Sequence, residues 1–182
     1  MRYVIIALLI SAYLMPVHGQ KYFTKDGKIT FLSSAPMEEI KATNERATSV
    51  FDVESGAMEW AVLINAFKFK KALMEEHFNE NYMESTKFPK GTFKGLIENI
   101  DAITFDKDGT YETQVNGELE IHGVTQSISP AIKFVVEGGE ITGTCTFKIL
   151  VADYEIEIPK VVRENIAKEV EITIVADYSL LN

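Results

Sequence analysis

From Lys21 onward the chain alternates apolar and polar residues over most of its length. A period of two is the signature of strands with one dry and one wet face. It recurs over residues 28–34, 47–53, 57–67, 93–105, 111–121, 128–136, 141–151, 154–158 and 170–180. Asp26-Gly27 reads as a hairpin turn between 22–24 and 28–34, and Asp106-Lys107-Asp108-Gly109 and Glu137-Gly138-Gly139 supply further tight turns. Short turns make sequential strands antiparallel. Residues 70–83 break the pattern: Leu73, Met74, His77, Phe78 and Tyr82 fall at i, i+3, i+4 spacing. That predicts about three turns of amphipathic helix. A weaker helical turn is expected over 161–168.

A mainly β chain of about eight long strands with one interposed amphipathic helix closes most economically into an antiparallel β-barrel. The large apolar residues keep to one parity: Phe93 and Ile97; Tyr111, Val115, Leu119 and Ile121; Ile132, Phe134 and Val136; and Val170 through Tyr178. One face of the wall is therefore dry. Eight strands is the size at which side chains either fill the interior or leave room for one ligand. Periodicity alone does not choose between these outcomes.

The first residues follow different rules. In 1–19, Arg2 precedes an apolar run to Met15, Pro16 breaks it, and Val17-His18-Gly19 offers compact residues at a cleavage site. This is the layout of a secretory signal peptide, which leaves 20–182 as one exported, soluble domain. The run falls short of the ~20 residues that span a bilayer, so no stable membrane anchor is expected. The expected location is periplasmic, with secretion as the alternative.

The chain carries 18 Lys+Arg against 27 Asp+Glu, a formal net charge of −9. Nucleic-acid affinity rests on neutralising phosphates with cations, so a nucleic-acid partner is not expected. Cys145 is the single cysteine, which excludes an internal disulfide and throws stability onto the core. It shares the apolar parity of Ile141 and Phe147 and reads as buried.

Catalytic signatures are missing. His77 and His122 lack metal-ligand spacing, no Gly-x-Ser-x-Gly elbow occurs, and Gly91 and Gly95 form neither a phosphate nor a dinucleotide loop. No catalytic residue, metal or cofactor is assigned, and the chain reads as not an enzyme.

Three segments carry a resemblance. His77-Phe78-Asn79-Glu80-Asn81-Tyr82-Met83-Glu84-Ser85-Thr86-Lys87-Phe88-Pro89, followed by Phe93-Lys94-Gly95, resembles the YceI-like family. So does Gly117-Glu118-Leu119-Glu120-Ile121-His122-Gly123-Val124-Thr125, and Asp153-Tyr154-Glu155-Ile156-Glu157-Ile158-Pro159 is similar to a segment of one branch. The Arg-Asp common ahead of the family's helix is absent. The resemblance implies a lipocalin-like barrel whose apolar channel holds a polyisoprenoid, such as a prenyl-quinone or prenyl-pyrophosphate tail, as ligand and partner.

Residues expected to line that channel are Phe31, Phe51, Phe67, Phe69, Met74, Phe78, Phe88, Phe93, Tyr111, Val115, Leu119, Phe134 and Phe147. His77 and Tyr82 are candidates for a polar head group at the mouth, or for fixing the helix to the rim. Oligomeric state is not legible. The leading expectation is binding of a long apolar lipid for transport, storage or sequestration. One alternative is a filled barrel acting through its surface, as a partner-binding or stress-response factor. The other, a lipid-modifying enzyme, requires His77, Tyr82 and His122 to converge.

Overall fold

The computed structural model describes residues 20–181; the expected signal peptide at 1–19 lies outside the described residues. Ten strands form one sheet: β1 (Lys21–Ser34), β2 (Glu39–Asp52), β3 (Ala57–Leu63), β4 (Lys68–Phe69), β5 (Lys90–Ile97), β6 (Gly109–Ile121), β7 (Val124–Ile128), β8 (Ala131–Glu137), β9 (Glu140–Leu150) and β10 (Glu169–Leu180). The order β1-β10-β9-β8-β6-β5-β3-β2 closes because β2 also pairs with β1, and every pairing is antiparallel. The result is a closed eight-strand barrel, with β4 short against β2 and β7 on β6. Closure leaves only short sheet edges of the kind that template aggregation.

The long strands form where alternation predicts them, but three local expectations change. Asp26-Gly27 is not a hairpin turn: β1 runs straight through it with a register shift against β2 between Thr24 and Ile29. A Cβ at Gly27 would stand 2.9 Å from Trp60 Cζ3, so the glycine lets the indole pack across the strand. The run at 93–105 ends as a strand at Ile97. Asn99 adopts a left-handed φ of 48°, and the following loop folds under the barrel with Phe105 pointing in. The run at 154–158 forms no strand. Val151–Tyr154 is a 3₁₀ turn and Glu155 is left-handed at φ 55°.

Helix α1 (Ala72–His77) continues into a wide π turn over Phe78–Tyr82, closed by Met83 N–H donating to the Phe78 carbonyl at 2.8 Å. The predicted helix is thus present in a two-part form. The weaker turn near 161–168 is reduced to a 3₁₀ turn at Lys160–Val162.

Side chains fill one end of the barrel. Tyr22, Phe51, Phe105, Phe134 and Tyr178 converge there from four strands and the 98–108 loop. Phe51 stacks on Tyr22 at 5.3 Å between ring centroids and meets Phe105 at 5.1 Å and Tyr178 edge-on at 4.8 Å. These are the offset and edge-to-face contacts that aromatic quadrupoles favour.

Candidate functional site: an apolar cavity

The other end is hollow. It lies between the C-terminal halves of β1, β3, β6 and β9, the N-terminal halves of β2, β5 and β10, and α1, and encloses a cavity of about 410 Å³. Volumes of this size are typical of small-molecule sites. Phe31, Phe67, Phe69 and Phe78 line it as one aromatic cluster, with Phe31 stacked on Phe78 at 5.3 Å and Phe69 against Phe78 at 5.0 Å. Ile172 and Ile174 of β10 adjoin this cluster beside β1, Phe147 and Ile149 of β9 continue the wall, and Val115 and Leu119 of β6 stand opposite.

The floor separates the two ends. Met58, Ile132, Cys145 and Tyr178 form it, and beneath them the Tyr178 and Ser49 hydroxyls share a buried hydrogen bond of 2.9 Å. Burial holds the Tyr178 phenol far above its ordinary range and pushes the Cys145 thiol up to about 11. Cys145 is buried as expected, and its neutral thiol is a poor nucleophile.

Of the expected lining residues, Phe31, Phe67, Phe69, Met74, Phe78, Phe93, Val115, Leu119 and Phe147 stand on the cavity wall. Phe51 and Phe134 do not: both belong to the packed end and are fully buried there. Tyr111 lies at the start of β6 beside that end, its hydroxyl donating to the Lys107 carbonyl at 3.1 Å. Parity correctly turns these three away from the wet face, but they lie at the end where opposing rings meet.

Phe88 lies elsewhere again. Its ring packs on His122 at 4.5 Å between centroids, and a Cβ at Gly123 would come within 2.6 Å of it. His122 and Gly123 both have positive φ, 54° and 75°, as the two-residue hairpin turn between β6 and β7 requires. His122 Nδ1 lies 3.1 Å from the Tyr154 carbonyl and Nε2 3.0 Å from Glu84 Oε2, both within hydrogen-bond reach. The three motifs that carry the sequence resemblance therefore meet at one clamp outside the cavity.

That clamp covers a gap in the wall. β7 pairs with β6 alone, and β8 takes over as the partner of β6 beyond Ser129-Pro130. β9 pairs with β8 only as far as Cys145, leaving its second half without a neighbour on that side. Residues 151–158 lie across the opening, tied by His122 and by Gln126 Nε2 donating to the Asp153 carbonyl at 2.8 Å. Their carbonyls at Asp153 and Tyr154 meet side chains and the N–H groups of Glu155 and Ile156 bond within the turn, not to a ladder, which is why the alternating run at 154–158 is no strand. Ile156 and Ile158 still point inward and line the cavity.

Polar groups gather at the mouth: His77 and Tyr82 from the helical segment, Glu38 from the start of β2 and Asn165 from the 155–168 segment. Burial raises the Tyr82 phenol above its ordinary value. Glu38 accepts an ion pair from Lys71 at 2.8 Å. His122 is held in the clamp, so His77, Tyr82 and His122 do not form one site. Among the described residues no cluster of His, Cys, Asp and Glu could hold a metal.

Sequence reasoning missed Trp60, Ile128, Ile132, Ile156, Ile158, Val162 and Ile166 on the wall. The parity of Ile156 and Ile158 was a usable signal. Trp60 sits in a strand apolar on both sides, where parity is mute.

The family described as YceI-like domain matches residues 15–178. No protein of curated function matches the chain. Among solved structures, it resembles a polyisoprenoid-binding domain from Saccharophagus degradans implicated in plant cell wall breakdown. That likeness has a TM-score of 0.77 at 13% identity, covering 90% of this chain and 100% of that one. BcnA of Burkholderia cenocepacia follows at 0.68 and 14% identity, over 84% and 96%. The YCEI protein of Campylobacter jejuni gives 0.60 and 17%, over 78% and 84%. At these identities the likenesses establish the fold.

Proposed function

The chain belongs to the YceI-like family, and from that premise we propose that its cavity binds a polyisoprenoid or similar long apolar lipid. The observation that carries this reading is the hollow half of the barrel, walled mainly by aromatic and aliphatic side chains, with the charged and ionisable groups Glu38, His77 and Tyr82 at its mouth. That is the arrangement an apolar tail with a small polar head would fit. The Saccharophagus degradans relative is a polyisoprenoid-binding domain, which supports the same assignment.

Energetics favours exchange over irreversible capture. Moving a methylene out of water gains roughly 0.8 kcal/mol, so a tail of about forty carbons would exceed the ~20 kcal/mol ceiling of non-covalent affinity if water were the alternative. The alternative is a bilayer as apolar as the cavity. Transfer between the two is then nearly balanced and is decided by packing and head-group contacts. Such a protein carries, stores or sequesters its lipid. We place it outside the cytoplasm, in the periplasm or secreted, on the strength of the leader-like 1–19 segment. No helix among the described residues is long and apolar enough to cross a membrane.

Native mass spectrometry of the protein from its own exporting cell, followed by organic extraction, tests this reading. A stoichiometric long-chain lipid is the expected result. An empty protein that also takes up no polyprenol would overturn it and favour a barrel acting through its surface.

A further inference from the structure

The three most exposed large apolar side chains on the segments that reach the mouth of the cavity are Met37, Leu73 and Val161. Met37 is 69% exposed, Leu73 61% and Val161 90%. Each is the immediate chain neighbour of a residue that lines the cavity, Glu38, Met74 and Val162 respectively, so each lies within about 4 Å of the rim along the backbone. They come from the β1–β2 loop, α1 and the 155–168 segment. Those segments touch one another: Met37 N–H donates to the Glu164 carbonyl at 3.1 Å, and Glu38 pairs with Lys71, one residue before α1.

From this geometry we infer that the open end of the barrel is a docking face for a lipid bilayer, inserting Met37, Leu73 and Val161 at the interface. The inference rests on the reading of the cavity as a lipid site. Exposed apolar side chains grouped beside a cavity mouth mark an interaction site, and a bilayer surface both covers them and supplies the ligand. The local charge fits. Glu38 and Glu75 are neutralised by Lys71 and Lys68, and Lys70, Lys160, Arg163 and Lys168 stand on the same segments as Glu39, Glu76, Glu80, Glu155, Glu157 and Glu164. The rim segments then carry only a small acidic excess on a chain whose net charge is −9, little to repel a membrane. Apolar insertion, not attraction to anionic lipid, is the main term.

Flotation of the purified chain with phosphatidylcholine vesicles, with and without phosphatidylglycerol, tests the inference. The unchanged protein should float with both compositions. A Met37→Ser/Leu73→Ser/Val161→Ser variant should lose about tenfold or more of its vesicle affinity, since each change removes an inserted apolar group. Leu96→Ser, at a 57% exposed leucine of the packed end, should float like the unchanged chain. Equal flotation of the triple variant, or no flotation of the unchanged chain, overturns the proposal. So does sedimentation showing a dimer that the triple variant dissolves, because the covering partner is then a second copy. Polyprenol added from ethanol reaches the cavity without a bilayer: failure of uptake there sinks the lipid reading and leaves the flotation result to stand or fall separately.

Discussion

The two ends of this barrel are built from the same eight strands and the same inward parity, yet one is solid and the other hollow. At the packed end, Phe51, Phe134 and Tyr178 reach the axis from three strands, and Phe105 enters from the loop beneath. At the hollow end, Phe31, Phe67, Phe69 and Phe78 gather on one side of the wall and leave the axis free. Aromatic content therefore does not decide between filling and lining. What decides is whether the rings meet across the axis, as Phe51 and Phe134 do at 5.4 Å, or stay on the wall, as the four rings around Phe31 do.

If that division of labour is right, truncation should separate stability from binding. Phe51→Ala removes a fully buried ring and should cost about 3–5 kcal/mol, read from urea unfolding. Polyprenol uptake per folded molecule should stay unchanged. Phe31→Ala, on the cavity wall, should cost less than half as much and weaken uptake instead. Equal losses of stability at the two sites would erase the distinction.

The floor between the halves gives a pH signature. Burial raises the Cys145 thiol from 9.0 to about 11. The neutral form is favoured in the folded chain, so the stabilisation is complete below pH 9 and is lost as pH rises toward 11. A shift of this size amounts to roughly 2–3 kcal/mol. Cys145→Ala should flatten the fall in urea midpoint between pH 9 and 10, before tyrosine ionisation dominates. An unchanged slope in that variant would show that the floor is open to water.

The clamp outside the hollow half sets how firmly the 151–158 segment closes the gap in the wall. His122→Ala deletes both of its hydrogen bonds and should cost about 1–3 kcal/mol. Amide exchange over 151–158 should accelerate while the packed end stays protected. Exchange that rises evenly across the barrel would contradict a local role. The smallest effect on stability should come from filling the cavity: Val115→Phe should change folding by less than about 1.5 kcal/mol, because the added atoms enter free space instead of a packed core. It should still cut polyprenol uptake by about tenfold, read as bound lipid by mass spectrometry.

How far the sequence reached follows the same line. Alternation placed Val115, Leu119, Phe93 and Cys145 on the inner face, and the helical spacing of Met74, His77 and Phe78 put them under one segment. Phe88 was legible only as part of a motif, and that motif serves the clamp. The gap between β7 and β9 left no mark, because an irregular strap and a strand share the alternation of Tyr154, Ile156 and Ile158.

The sequence by itself determined the barrel, its antiparallel order through short turns, and the in-or-out sense of most strand residues, since all three follow from local period and turn chemistry. Only the tertiary structure decided that Phe51 seals an end while Phe31 lines a cavity. Period two reports which face a side chain is on; it carries nothing about what stands across the axis. That depends on how strands far apart in the chain face one another, with Phe51 of β2 meeting Phe134 of β8 at 5.4 Å between ring centroids.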